Sequence, residues 1–162
     1  MMPQIRPNKP LVRLLGAVSL WTMPAAALAI SCSVQTLPAS FGVYSPQSAT
    51  PATATGAIDI TCTCQVLVDC TAFTYRVDIT AGQSGSTAAR QMKAATGSLG
   101  YNLYQDPGYT TIWGSDSAGR SSLYLLTLFG SYQRIPVYAR APAGQTVRPG
   151  NYVDTPIITI IY

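Results

Sequence analysis

Side chains suited to acid–base, nucleophilic or metal chemistry are few in this 162-residue sequence: six aspartates and four cysteines, with no histidine and no glutamate. Without histidine, neither a Ser-His-Asp or Cys-His apparatus nor a His-ligated metal site can be built. The aspartates are scattered about one per predicted strand or turn, and no pocket-forming motif accompanies them, which disfavours a paired acid and base. The composition therefore indicates a non-enzymatic protein that needs no cofactor.

The first 29 residues have the layout of a secretory signal peptide. A basic stretch (residues 6–13) precedes a short apolar run, Leu14–Met23, and a small-x-small site that ends at Ala29. The apolar run is shorter than the roughly 20 residues that a membrane-spanning helix needs. We expect cleavage between Ala29 and Ile30, which makes 1–29 the signal peptide and 30–162 one mature domain with its own core.

Cleavage changes the interpretation of the charge. Three of the ten Lys and Arg residues lie in the predicted signal peptide, so seven face six Asp in the mature chain, a net charge of +1. No basic cluster remains, and nucleic-acid binding therefore has no electrostatic support. Neither the charge nor the composition indicates a small-molecule substrate.

The four cysteines, Cys32, Cys62, Cys64 and Cys70, all lie in the predicted mature chain. A C-x-C with two distant cysteines is a weak metal signature, and an exported chain meets an oxidising compartment, so disulfides are favoured over a metal site. Four cysteines allow three pairings. We favour Cys32–Cys62 with Cys64–Cys70, since the first two lie in strand-like segments and the others bracket a short loop. Pairing of Cys32 with Cys64 is the main alternative.

Apolar residues alternate with polar ones along the mature chain, as in half-buried β-strands. Predicted strands are Cys32–Thr36, Ile58–Thr63, Phe73–Thr80, Ala88–Lys93, Leu99–Gln105, Ser122–Phe129, Arg134–Tyr138 and Tyr152–Tyr162. Turn-forming clusters separate them, and Ser45–Gly56 is predicted to be a long surface loop. This spacing predicts an all-β antiparallel sandwich or barrel.

The C-terminal segment is the most informative part of this pattern. A Gly-Asn-Tyr-x-Asp turn leads into a β-branched strand whose residues Ile158, Ile160 and Tyr162 share one face. A long apolar edge strand invites another chain to pair with it. The segment therefore predicts an assembly subunit.

Two further apolar stretches carry alternative interpretations. Tyr101 and Leu103 are predicted core residues, whereas the stretch from Asp106 to Trp113 could form an exposed apolar loop for surface adhesion. The candidate adhesive residues of that loop are Tyr109, Ile112 and Trp113. Leu123–Phe129 is unusually apolar, so it is either buried on both faces or set against a partner.

A series of collinear motifs runs along the whole mature chain: Cys32, Phe41-Gly42-x-Tyr44, Gly56–Cys62 (GAIDITC), Tyr75–Val77, Arg90–Met92, Tyr101–Tyr104 with Asp106, Trp113-Gly114, Ile135–Arg140 (IPVYAR) and Gly150-Asn151-Tyr152-x-Asp154. Together these motifs resemble the spore coat U domain family. That family includes subunits of archaic, Csu-type chaperone–usher pili, which are biofilm-promoting fibres. The resemblance implies a role as a structural or adhesive pilus subunit at the cell surface.

The resemblance also implies an incomplete immunoglobulin-like antiparallel β-sandwich that lacks its final strand. A periplasmic chaperone first fills the resulting hydrophobic groove, and the N-terminal segment of a neighbouring subunit fills it after passage through an outer-membrane usher. Strand addition of this kind takes its affinity from main-chain hydrogen bonds. We expect Ile158, Ile160 and Tyr162 to be groove residues.

One departure from the family pattern concerns the donor segment. Subunits within such a fibre carry a dozen or so residues before the first cysteine, but cleavage after Ala29 leaves only Ile30 and Ser31. Two residues at about 3.3 Å each cannot span a groove. The sequence thus predicts a subunit at a fibre end, such as the tip. The alternative is a spore-coat or other cell-surface structural protein with the same fold.

Overall fold

The computed structural model describes residues 30–64, 72–125 and 131–162, except for the side chain of Cys64. The described chain forms eight strands: β1 Ile30–Leu37, β2 Ala52–Cys64, β3 Ala72–Ile79, β4 Arg90–Ala94, β5 Gly97–Tyr104, β6 Arg120–Leu125, β7 Ser131–Ala141 and β8 Ile158–Ile161. Two three-residue 3-10 turns, Gly82–Ser84 and Asp116–Ala118, are the helical elements of these residues.

The strands make two antiparallel sheets. One has five strands in the order β1-β2-β7-β5-β4, and the other has three in the order β6-β3-β8. In the strands that follow the predicted alternation, every second residue faces the opposite sheet. In β7, for example, Ile135, Val137 and Ala139 are buried while their neighbours are at least partly exposed. The predicted all-β antiparallel sandwich is confirmed.

The core lies between the sheets and is built from apolar and aromatic side chains. Its fully buried members include Ile58, Ile60, Tyr75, Val77, Ile79, Trp113 and Tyr124. Tyr101 and Leu103, predicted to be core residues, are each only 7% exposed. Burying a side chain of this size contributes about 1.5–3 kcal/mol, so the facing strands hold the sheets together.

A buried cation ties four segments of the chain together. Arg90 is 1% exposed, and no carboxylate of the described residues forms a salt bridge with it. Its guanidinium donates instead to the carbonyl oxygens of Ile79, Thr80, Thr87 and Trp113 and to Oδ1 of Asn102, at 2.7–3.2 Å. Burial lowers the pKa of Arg90 from its ordinary value. The bonds link the end of β3 to β4, β5 and the segment before β6.

The disulfide Cys32–Cys62 joins β1 to β2, where the two residues are directly opposite each other. This pairing, favoured over Cys32–Cys64, is confirmed. Cys70 and the side chain of Cys64 lie outside the described residues, so their bond stays a prediction. Ala29 and the rest of the predicted signal peptide also lie outside them.

The last strand is much shorter than predicted. Tyr152–Tyr162 was expected to be one strand, but β8 covers only Ile158–Ile161. The preceding residues cross between the sheets: Val153 exchanges backbone hydrogen bonds with Lys93 of β4, at 2.8 and 3.0 Å, before the chain joins β3. Pro156 lies within this crossing and cannot donate a ladder hydrogen bond, which accounts for the interruption.

Other boundaries differ in smaller ways. β2 begins at Ala52, within the predicted surface loop Ser45–Gly56, and β7 extends beyond the predicted strand at both ends. In β6, Leu123 and Leu125 are 57% and 62% exposed, so burial of this stretch on both faces is wrong for its described part. Residues 126–129 lie outside the described chain.

Candidate functional site

The edge of β8 away from β3 has no strand beside it in the described chain. The edge of β1 away from β2 is likewise unpaired there. Val34 of β1 is directly opposite Ile60, so both face inward, yet Val34 is 41% exposed while Ile60 is 1% exposed. The inner face is therefore open at β1, as expected where a sandwich lacks a strand.

A groove with a volume of about 920 Å³ lies between the chain leaving β1 and the segment before β8, and it reaches the core. Its floor consists of core side chains from both sheets, among them Ile58, Ile79, Leu99, Tyr101, Leu103 and Val137. Residues 36–44, from the end of β1 onward, form one wall, and residues 147–156, before β8, form the other. The floor is apolar, and the charged lining residues, Arg148 and Asp154, lie in the second wall.

The first wall is held in place by an aromatic contact and a close backbone approach. Phe41 packs edge-on against Tyr101 with 6.1 Å between ring centroids. Tyr44 donates to the carbonyl oxygen of Pro142 at 2.7 Å. A Cβ on Gly56 would lie 2.6 Å from the carbonyl oxygen of Leu37, so only glycine lets β2 pass the chain leaving β1.

The second wall is anchored by Asp154. Its carboxylate accepts from the Tyr101 hydroxyl at 2.7 Å and from the Gln83 amide at 2.9 Å. Burial, and then the bond to Asp154, raise the pKa of Tyr101 above its ordinary value. Gly82 has φ of 63°, and a side chain there would strike the Asp154 carboxylate. Asp154 thus keeps the crossing segment beside the groove.

The predicted groove residues Ile158, Ile160 and Tyr162 lie on one face of the C-terminal strand, but their surroundings differ. Ile158 lines the groove, and Ile160 packs against the core cluster farther along β8. The ring of Tyr162 lies 6.1 Å from that of Phe73 and remains 60% exposed. Their role in binding a partner stays a prediction.

An apolar groove beside a bare strand edge has a definite binding chemistry. The free edge of β8 offers main-chain donors and acceptors to an added strand, while the groove accepts that strand's alternate side chains. No group of three or more metal-ligating side chains lies together in the part of the chain described here. Nor does any helix among these residues have the length and apolarity to cross a membrane.

The expected adhesive loop needs a correction. Trp113 is fully buried and donates its indole N–H to the carbonyl oxygen of Val77 at 2.8 Å, so it cannot belong to an exposed adhesive surface. Ile112 pairs with Tyr104 through a β-bridge, which turns the next residue into the core. Ile112 and Tyr109 are half-buried.

Sequence reasoning did not assign most of the groove wall. The groove is also lined by Phe41, Met92 and Tyr152. All three belong to the family motifs but were not predicted to be groove residues. Each is an aromatic or apolar residue in a loop or an edge strand. The alternation that identifies core residues does not continue into such segments, so these residues could not be assigned from it. Residues 147–156 were predicted to be mainly turn and strand, so they were not assigned to the groove.

The Spore Coat Protein U domain family matches residues 18–159, and the chain belongs to this family. Within it, the chain is 36% identical over 133 residues to Protein U of Myxococcus xanthus, covering 76% of this chain and 70% of that protein. The matched range begins inside the predicted signal peptide, so the boundary at residue 30 stays a prediction.

The fold resembles that of a chain in the crystal structure of the CsuC-CsuE chaperone-tip adhesion subunit pre-assembly complex from the archaic chaperone-usher Csu pili of Acinetobacter baumannii. The TM-score is 0.55 at 21% identity, and the likeness covers 83% of this chain. It spans only 40% of the Csu chain. The likeness shows that the two chains share a fold over this range.

Proposed function

We propose that this protein is a structural or adhesive subunit of a surface pilus, and that another polypeptide completes its sandwich by adding a strand beside β8. The observation that carries the proposal is the apolar groove of about 920 Å³, which Ile158 of β8 lines, next to a strand edge that no described residue pairs with. Leu37, Val43 and Val153 line the groove and are 56%, 96% and 52% exposed. Covering an apolar side chain of this size contributes up to about 1.5–3 kcal/mol, which a partner strand can supply. Such a role requires neither catalysis nor a cofactor.

The proposed partners are a periplasmic chaperone, then a neighbouring subunit, with an outer-membrane usher between these stages. The predicted signal peptide and the Cys32–Cys62 disulfide support export through an oxidising compartment to the cell surface. The complex that contains the similar Csu chain pairs a chaperone with a tip adhesion subunit. By analogy, the chaperone would shield the groove before assembly.

Within the fibre, we place the subunit at an end, such as the tip. β1 begins at Ile30, which already pairs with Cys64 of the chain's own sheet. If the signal peptide is cleaved after Ala29, no residue remains to donate a strand to a neighbour. Mass spectrometry of the mature N-terminus tests this position: a dozen or more residues ahead of Cys32 would refute it.

The groove proposal is tested by periplasmic co-expression with the cognate chaperone. We expect the chaperone to raise the yield of soluble protein severalfold, because it covers the groove. The double variant Ile160→Ala/Tyr162→Ala should reduce chaperone capture. The matched control, Thr159→Ala/Ile161→Ala, changes the two alternate residues of the same strand, which face outward, and should leave capture near that of the parent chain. Equal capture by both variants would reject the proposed strand face.

A second candidate function is that of a spore-coat or other cell-surface structural protein assembled without an usher. The 36% identity with Protein U favours it. Deleting the usher separates the two functions: loss of the protein from the cell surface supports the pilus, and unchanged surface display supports the alternative.

A further inference from the structure

We propose that the outer face of the five-stranded sheet carries a binding site for a carboxylate-bearing saccharide, built from Tyr104, Tyr109, Tyr138 and Arg140. This face is turned away from the core that forms the groove floor. The site is therefore independent of strand addition and supplies the ligand contact that an adhesive subunit needs.

The sheet register brings three of the four side chains together. Tyr104 of β5 and Tyr138 of β7 are directly opposite, and Arg140 lies two residues farther along β7, on the same face. Thr55 of β2 is opposite Tyr138 on its other side. The loop after β5 adds Tyr109, whose ring centroid is 5.5 Å from that of Tyr104 and 5.6 Å from the Arg140 guanidinium carbon.

The polar groups of this cluster have no hydrogen-bond or ion-pair partner among the described residues. Among the described residues, Arg140 forms no salt bridge, and neither its guanidinium nor the hydroxyls of Tyr104, Tyr109 and Tyr138 take part in a side-chain hydrogen bond. All four side chains are half-buried. By contrast, Arg134 on the same strand is neutralised by two bonds of 2.7 Å to Asp59. Arg140 is therefore a positioned cation with its donors free.

Tyr109 is held over Arg140 in a conformation that its residue type disfavours. Its φ is 56°, in the left-handed region that costs a non-glycine residue about 1–2 kcal/mol. The Asp106 carboxylate stabilises the loop by accepting from the amides of Thr110 and Thr111, which also lowers the pKa of Asp106. Strained residues that their surroundings hold in place cluster at functional sites, which supports a binding role for Tyr109.

These groups fit an acidic sugar. A guanidinium binds a carboxylate through two parallel N–H donors, and its contact with an aromatic ring orients its plane. Tyrosine offers a flat apolar ring to the C–H face of a sugar and a hydroxyl to its oxygens. Arg140 is the cation that the described residues bring to this site, and it lacks an ion-pair partner among them, so the site suits a single carboxylate better than a polyphosphate backbone. The carboxylate could come from a polyuronate or from a sialylated glycan.

The test is calorimetric titration of the mature full chain, as recovered from the periplasm, with three probes. They are a mannuronate hexamer, sialyllactose and cellohexaose, the last serving as an uncharged control. We expect binding of at least one acidic probe and none of cellohexaose, and the acidic probe that binds identifies the source. Equal binding of cellohexaose, or no binding of either acid at millimolar concentration, would overturn the proposal.

Two variants and a control make the assignment specific. Arg140→Gln should weaken acidic binding by roughly tenfold or more, as expected for a charge-assisted hydrogen bond. Tyr109→Gly removes the ring that contacts Arg140 and should abolish binding. The variant should still fold, because glycine adopts the left-handed conformation freely. Arg134→Gln, which removes a partnered cation from the same strand, should change binding less than twofold. A loss in Arg134→Gln as large as that in Arg140→Gln would indicate nonspecific charge attraction and refute the site.

Discussion

Replacing Arg90 with lysine keeps the buried positive charge but removes most of the geometry that satisfies it. The guanidinium donates five N–H bonds to five acceptors from four segments of the chain. A lysine ammonium has only three donors on a single nitrogen. At least two of the five acceptors would therefore lose this donor, at about 1–3 kcal/mol each. We expect Arg90→Lys to lower the free energy of unfolding by about 2–6 kcal/mol.

Trp113 provides the assay for this change. It is fully buried, and after the predicted cleavage it is the sole tryptophan of the mature chain, so its fluorescence reports urea unfolding. Arg148→Lys is the matched control, since Arg148 is exposed and the change should stay within about 0.5 kcal/mol. Both variants must be measured at the same partner concentration, because binding shifts apparent stability. A loss below 1 kcal/mol in Arg90→Lys, with an unchanged urea dependence, would refute the hydrogen-bond argument.

Three other predictions concern stability. Cys32→Ala/Cys62→Ala opens a loop of sequence separation 30, and urea unfolding should show a loss of about 3.6 kcal/mol by the loop-entropy relation. The Arg134 hydrogen bond lowers the pKa of Asp59 from 3.8 to about 2, so the stabilising contribution of Asp59 should be complete above pH 3.8 and lost as the pH falls through 2. Asp59→Asn should therefore reduce the pH dependence of the free energy of unfolding in that range. An unchanged pH dependence in the variant would contradict this prediction. Gly56→Ala places a Cβ 2.6 Å from a backbone oxygen and should cost about 1–3 kcal/mol of thermal stability, whereas a neutral result would show that β1 can shift.

Much of the sandwich could be predicted from period-two alternation, because strands such as β2 and β7 have one buried face. Ile58, Ile60 and Cys62 alternate with polar residues, and all three are buried in β2. The same reasoning failed at the C-terminus. A β-branched composition favours a strand there. However, Pro156 interrupts the strand and Val153 pairs with Lys93 of β4, so residues 152–157 cross between the sheets.

The site was less predictable than the fold. Ile158 was assigned to the groove because it shares a face with Ile160, whereas the walls are loop residues placed by long-range contacts. Phe41 lies at the groove because it meets Tyr101, sixty residues away, which no local pattern encodes. Trp113 was mistaken for a surface residue since turn-rich flanks resemble an exposed loop, although its indole has a buried carbonyl partner.

The most direct test of strand addition is a crystal structure of the mature chain bound to its chaperone or to a neighbouring subunit. We predict an extended partner segment, hydrogen-bonded along the free edge of β8, with apolar side chains entering the groove above Leu103 and Val137. A complex in which that edge stays bare, or is closed by the chain's own residues while the partner binds elsewhere, would contradict the account.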